Sequence, residues 1–536
     1  MPSPLRMFAV ALGLFAAAGC NPRSEGETAH DVRLIVLISV DQFPYHLYER
    51  YDSVYNGGLK RLQNQGRVYR DAVLDYAETW TSAGHSTLST GMNPWRHGVA
   101  DNSWYEQVDG EWKTVSSVSD DAFEVLGVPG KTGVSPKNLM TSGLADWVVT
   151  ADSQAVAVAV SGKYTASVLL GGQTNASHVY YYEDDVGRFV TSSYYRDAYP
   201  NWVNRFNDEA LPAFYSADSV WERAVPQELR GLARRDDASY ENYGSDYTFP
   251  HIFADEVEDV QDPAAFYDWW DHTPALDGAI LALAREAVTN LSLGQRGQVD
   301  YLGVSLSQLD RVGHDFGPIS QEQLDAVMHL DRELADFLDF LDRVVGPDHY
   351  VLALTSDHGV VEIPEYRRES GLPGRVVTSR EMREAVADVR EAVTGSTDGH
   401  DGAVIEAIKE LEFVADVITL GQLAGPEASD SFVAFYQRSY FPGRVFGPLA
   451  RQGLFVRLTE GSHGGPELTT HGSPYLYDRH VPLIFLGPGV RAGVSGEPVR
   501  IVDVAPTLAR LAGLPFPDDL EGQPLLGGEE PVGSSR

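Results

Sequence analysis

The sequence predicts an α/β fold: a mostly parallel central sheet flanked by helices on both faces, with cap insertions over the strand ends. Three observations predict it. First, Val32-Arg33-Leu34-Ile35-Val36-Leu37-Ile38-Ser39-Val40 is a nearly continuous apolar run rich in Val and Ile, the pattern of a strand buried on both faces of a parallel sheet. Second, comparable runs recur at residues 155–160, 301–306, 350–354 and 481–486. Third, four of these five runs carry an ionisable residue at or just past their end, where an α/β sheet places its ligands. The exception is 481–486, whose histidine, His471, lies upstream.

The chain has 536 residues, 43% of them hydrophobic, enough for a large core in three domains or in one large α/β domain with insertions. Lys and Arg number 41 against 77 Asp and Glu, a net charge of −36. That balance excludes a nucleic-acid backbone as the natural ligand and disfavours anionic lipid headgroups. An anionic substrate therefore needs positive charge built locally. Cys20 is the only cysteine, so the body holds no disulfide, no cysteine metal cluster and no catalytic thiol.

The first element in chain order accounts for that cysteine. Arg6 precedes the apolar run of residues 7–18, too short to span a bilayer comfortably and shaped like a secretory segment. It ends in Ala17-Ala18-Gly19-Cys20, which resembles a bacterial lipobox, with Ala17 where Leu is more usual. Residues 1–20 are thus expected to be a lipoprotein signal peptide and 21–31 a tether. Asn21 after the cysteine suggests, by resemblance, anchoring through Cys20 at the periplasmic side of the outer membrane; a secreted or soluble periplasmic protein is the alternative. The membrane contact would be through the lipid anchor only. Residues 32–525 form the expected catalytic body and 526–536 a tail.

Within the body, the first strand ends in Asp41. A helix is expected around residues 58–62, where Leu59 and Leu62 share a face, and another through Leu88, opening at Thr81. Thr81 lies in Glu78-Thr79-Trp80-Thr81-Ser82-Ala83-Gly84-His85 and is read as a nucleophile. A hydroxyl is a weak nucleophile near neutral pH and needs a base or a metal to activate it. Asp310-Arg311-Val312-Gly313-His314 puts a carboxylate and an imidazole one helical turn apart, so both can face one ion. Ser356-Asp357-His358-Gly359 places another pair at a strand terminus, and His471-Gly472-Ser473-Pro474-Tyr475 adds a histidine on a loop. Asp41, Asp310, Asp357, His314, His358 and His471 are three carboxylates and three imidazoles without sulfur. That set suits two zinc ions, each with an open position, better than one closed structural site. His85, His463 and His480 are read as structural.

Together with Val40-Asp41-Gln42, Asn102-Ser103-Trp104-Tyr105, Ser161-Gly162-Lys163 and the closing Asp503-Val504-Ala505-Pro506-Thr507-Leu508, these motifs resemble the alkaline phosphatase superfamily. The resemblance is to its threonine-nucleophile, di-zinc bacterial phosphatase branch, related to the nucleotide pyrophosphatases/phosphodiesterases. It implies that Asp41, Asp357 and His358 hold one zinc, to which the Thr81 oxygen also binds, and that Asp310, His314 and His471 hold the second, on the leaving-group side. It implies a covalent phosphothreonine, and it implies that Asn102 and Lys163 contact the phosphoryl group. The expected activity is hydrolysis of small phosphate monoesters.

One position departs from the branch. Monoester members carry an arginine two residues after the lysine, and here Lys163-Tyr164-Thr165 has threonine. Arginine clamps two phosphoryl oxygens, whereas threonine offers one neutral hydrogen bond. The loss should hurt dianionic monoesters more, so phosphodiesterase activity is an alternative; Arg188 or Arg196 are candidate substitutes. A second alternative is a metal-stabilised binding protein without turnover. Sulfatases resemble the chain less, since Thr81 and Ser82 lack the formylglycine frame. Residues 173–275, with Tyr180-Tyr181-Tyr182 and Trp269-Trp270, and residues 364–448 are expected to be the cap insertions, their aromatics mainly core.

Overall fold

Nine strands make the central sheet: β1 (Leu34–Val40), β2 (Arg67–Val73), β3 (Ala157–Ser161), β4 (His178–Glu183), β5 (Arg188–Val190), β6 (Asp300–Leu306), β7 (Tyr350–Thr355), β8 (His480–Leu486) and β9 (Gly493–Arg500). The computed structural model describes residues 31–217, 219–394 and 402–526. The signal segment with Cys20, most of the tether and the tail from 527 lie outside the described residues. The strand order is β9-β2-β8-β7-β1-β6-β3-β4-β5. The centre, β7-β1-β6-β3-β4, is parallel throughout. β8 runs antiparallel to both of its neighbours, and β5 antiparallel to β4. The sheet is therefore mostly parallel, as the apolar runs predict, with antiparallel pairings at β8 and β5.

The direction of β8 explains the one strand that breaks the sequence pattern. An antiparallel strand begins at the sheet edge where its parallel neighbours end, so a histidine upstream of β8 reaches the same edge as carboxylates downstream of β1 and β7.

Alternation along β1 divides the core in two. Leu34, Val36, Ile38 and Val40 face one hydrophobic cluster, and Ile35 and Leu37 face the other. The first is covered by α1 (Gly58–Gln65), α5 (Ala275–Asn290) and α7 (Gln321–Val344), the second by α2 (Thr81–Thr90), α3 (Leu144–Ala151), α4 (Tyr164–Leu170) and α8 (Val504–Leu511). A further helix, α6 (Gln308–Phe316), follows β6 over the strand ends. Helices thus cover both faces, which is why the parallel strands read as unbroken apolar runs.

The segment 173–275 does more than cap the site. Its β4 and β5 widen the sheet, and Trp202, Phe206 and Trp270 are buried in the core beneath α5. Residues 364–448 carry separate small cores around Ile418 and Val404. Among the described residues, no helix is long and apolar enough to cross a membrane.

Candidate active site

Every chemistry-bearing motif meets at one edge of this sheet. Asp41 follows β1, and its N–H is tied to the Leu306 carbonyl of β6 at 2.9 Å. Asp357 and His358 follow β7, Lys163 follows β3, Asp310 and His314 lie four apart on α6, and His471 lies on the loop before β8. Thr81 is the first residue of α2 and 4% exposed. Its Oγ1 is 3.4 Å from His358 Nε2, at the helix end whose partial positive charge favours an anion.

Three imidazoles face three carboxylates. His358 Nε2 lies 3.3 Å from Asp41 Oδ1 and 3.4 Å from Asp357 Oδ2. Asp310 Oδ1 lies 3.2 Å from His314 Nε2 and 3.8 Å from His471 Nε2. The opposite ring nitrogens decide what these contacts are. The Nδ1–H groups of His358, His314 and His471 donate to the carbonyls of Gly359, Thr469 and Thr79 at 3.0, 2.8 and 2.8 Å. A carbonyl can only accept, so Nδ1 carries a proton in each ring, and in a neutral ring Nε2 is left to present its lone pair. Burial pushes His358 below the ordinary histidine range, and burial together with His358 and His314 pushes His471 well below it, so both rings are neutral. Lone pairs then face carboxylate oxygens, an arrangement that a cation between them resolves. Asp41 and Asp357 are fully buried, and among the described residues Asp41 Oδ1 has no hydrogen-bond partner. The residues present fit divalent cations.

The electrostatics follow the same division. Burial and Asp357 push the Asp41 carboxyl well above the usual carboxylate range. Against burial, Lys163 and His314 hold Asp310 well below it, and His358 and His85 hold Asp357 low. His314 is raised, because Asp310 outweighs the burial that would lower it. The Lys163 ammonium bridges the two sets, 2.7 Å from Asp41 Oδ2 and paired with Asp310. Burial alone would lower it, but the two carboxylates raise it, so Lys163 is cationic. Asn102 accepts the Ser82 N–H at 2.9 Å through Oδ1, which leaves its amide N–H groups free to donate.

A cavity of about 600 Å³ opens onto this edge, lined by Thr81, Asn102, Lys163, Thr165, Asp310 and His471 among others. Residues 364–448 wall an adjoining pocket of about 400 Å³ that shares Trp80 and His471 with it. Neither candidate substitute for the missing arginine reaches the cavity. Arg188 pairs with Asp208 at 2.7 Å, and Arg196 donates to the carbonyls of Asn175, Tyr195 and Ala176.

A profile described as type I phosphodiesterase / nucleotide pyrophosphatase matches residues 35–456. The chain belongs to this family. Alkaline phosphatase PhoV of Synechococcus elongatus is 29% identical over 94% of this chain and 94% of its own, and alkaline phosphatase PafA of Elizabethkingia meningoseptica 28% over 96% and 97%. A Myroides odoratus protein named a calcium-transporting ATPase is 31% identical over 92% and 94%. The crystal structure of wild-type PafA superposes with a TM-score of 0.82, covering 92% of this chain and 98% of that one. These findings place the chain in the alkaline phosphatase superfamily that its motifs resemble.

Within that family's site, three supporting residues escaped sequence reasoning. Gln42, in a left-handed backbone conformation (φ 59°), turns its Nε2 to the Asp310 carbonyl (2.8 Å) and Oδ1 (3.1 Å). His85, read as structural, donates from Nδ1 to the Thr81 carbonyl (2.9 Å), lies 3.1 Å from Asp357 Oδ2 and meets Ser305 Oγ through Nε2 (2.9 Å). It ties the helix that opens at Thr81 to Asp357, and its i+4 spacing from Thr81 is the available sequence signal. Gly84 lets α2 approach so closely that a Cβ there would sit 2.4 Å from the Asp357 carbonyl oxygen. His480, by contrast, stacks on Tyr45, and His463 bonds only to the carbonyls of Gly464 and Leu468.

Proposed function

We propose that this protein hydrolyses phosphate monoesters through a covalent phosphothreonine on Thr81, in a site that binds two zinc ions. The observation that carries this reading is the neutral His358 Nε2, 3.4 Å from Thr81 Oγ1 and turned toward the buried carboxylates of Asp41 and Asp357. Asp41, Asp357 and His358 would hold one ion, and Asp310, His314 and His471 the other. Bound there, the pair supplies Lewis acidity at the attacking and leaving oxygens of an in-line displacement. The chain's own residues do the rest. Thr81 Oγ1 forms a bond to phosphorus as the bond to the ester oxygen breaks, and water then cleaves the phosphothreonine to release phosphate. The first turn of α2, the Asn102 amide and the Lys163 ammonium bind the non-bridging oxygens. A cavity of about 600 Å³ suits a small phosphorylated substrate.

The test is to quench a reaction with labelled phosphate monoester in acid. Label should be recovered on Thr81 and be absent from Thr81→Ala. A Thr81→Ala protein that binds zinc and still turns over as fast as wild type would remove the nucleophile from the proposal. Thr165, buried at the cavity wall, favours a second reading as a phosphodiesterase. Comparing kcat/KM for an aryl phosphate with that for its methyl diester separates the two. We also propose anchoring through Cys20 at the periplasmic side of the outer membrane, which globomycin-sensitive processing in cells would test.

A further inference from the structure

Three cationic side chains line the site cavity: Lys131, Lys163 and Arg311. Two are committed. Lys163 is held between Asp41 and Asp310, and Lys131 between Glu183 and Asp185. Among the described residues, Arg311, the residue after Asp310 on α6, is held by a single ion pair, from Nη2 to Asp271 Oδ2 at 2.6 Å. Its Nε is buried with no hydrogen-bond partner, as is Asp271 Oδ1, in a side chain only 2% exposed. A planar guanidinium with five donors, engaged by one carboxylate oxygen, keeps donors in reserve. Thr165 lines the same cavity and cannot supply them.

Resting on the phosphatase reading above, we propose that Arg311 is the phosphoryl clamp of this chain and that Asp271 is a placeholder that the substrate's phosphoryl group displaces, making phosphate monoesters the favoured class. A monoester dianion carries twice the charge of the Asp271 carboxylate and offers a matching pair of oxygens, so it outcompetes Asp271 for the fork. A diester monoanion has no such advantage. The competing carboxylate thus selects against diesters while the arginine attracts monoesters. Asp271 comes from the helix Pro263–Asp271, so residues 173–275 would set substrate class as well as build the sheet.

The experiment uses zinc-loaded Arg311→Met, Arg311→Lys and Asp271→Asn proteins with metal content checked. It reads kcat/KM for an aryl phosphate and for its methyl diester, and the Kd of inorganic phosphate by calorimetry. Arg311→Met should lose about 10²-fold on the monoester and in phosphate affinity but less than about threefold on the diester, the size expected for a charge-assisted bidentate contact. Arg311→Lys should keep only part of the monoester preference, and Asp271→Asn should bind phosphate more tightly. Adding Thr165→Arg to Arg311→Met should restore at least about a tenfold share. Equal losses on both esters, or unchanged phosphate affinity in Arg311→Met, would overturn the clamp; weakened phosphate binding in Asp271→Asn would overturn the placeholder. If wild type hydrolyses neither ester, the phosphatase reading fails, and phosphate calorimetry alone still decides for or against Arg311.

Discussion

Two buried ionic clusters in this protein are built to opposite ends. At the strand ends, each site histidine gives Nδ1–H to a carbonyl, and the neutral rings of His358 and His471 turn a bare Nε2 toward carboxylates. In the second cluster, His251 meets carboxylates at both nitrogens, Glu256 at 3.0 Å and Glu322 at 3.4 Å, and is raised to about 9; burial alone would lower it, but these two partners win. Arg234 completes that cluster, pairing with Glu241, with Glu362 at 2.9 Å and with the Phe316 carbonyl at the end of α6, its guanidinium set over Tyr240 and Tyr366. Protons and a guanidinium neutralise the second cluster from within the chain. The first needs cations from outside, and the tautomers of its histidines are what tell the two apart.

The largest way to sharpen this contrast is to remove the proposed nucleophile. Thr81→Ala should lower kcat/KM by about 10⁴-fold or more while zinc content stays at the wild-type level, measured by steady-state kinetics and metal analysis. Next comes the metal itself. Chelation should abolish activity and lower stability by about 4 kcal/mol relative to protein with zinc at a thousandfold its Kd. Glu241→Gln, in the other cluster, should lower the melting temperature without changing metal content; a loss of zinc there would break the comparison.

A smaller effect is expected from Gly84→Ala. Its Cβ would meet the Asp357 carbonyl oxygen at 2.4 Å, forcing α2 and Thr81 away from the ligand. A displacement of that size should cost about 10²-fold in kcat, and the overpacking should lower stability by about 1–3 kcal/mol.

The smallest effect concerns pH. Because the folded His251 titrates near 9, above its ordinary 6.5, its contribution to stability is complete below about pH 6.5 and is lost as pH rises through about 9. His251→Gln should flatten the fall in stability between those two values in denaturant titrations, whereas a variant as pH-sensitive as wild type would return His251 to the ordinary range.

Legibility in the sequence followed burial. β1, β6 and β7 are covered on both faces and read as apolar runs, so their terminal Asp41, Asp310 and Asp357 could be ordered along one edge. β2, with Arg67, Arg70 and Asp71, and β9, with two glycines and a proline, sit toward one side of the sheet with polar positions, and no periodicity marks them. Arg311 shows a different limit. It adjoins a predicted ligand, but which way its guanidinium turns depends on Asp271, forty residues upstream, and local spacing carries no information about that partner.

The sequence by itself determined the α/β class and singled out the three carboxylates, three imidazoles and Thr81 as candidates, because these rest on apolar periodicity and on residue types whose chemistry is local. Only the tertiary structure decided how the set is used. The antiparallel entry of β8 brings His471 to the shared edge, carbonyls from distant loops choose the histidine tautomers, and Asp271 holds Arg311 at a cavity that Arg188 and Arg196 do not line. Direction, tautomer and pairing are relations between segments far apart in the chain, and they exist only once packing has brought those segments together.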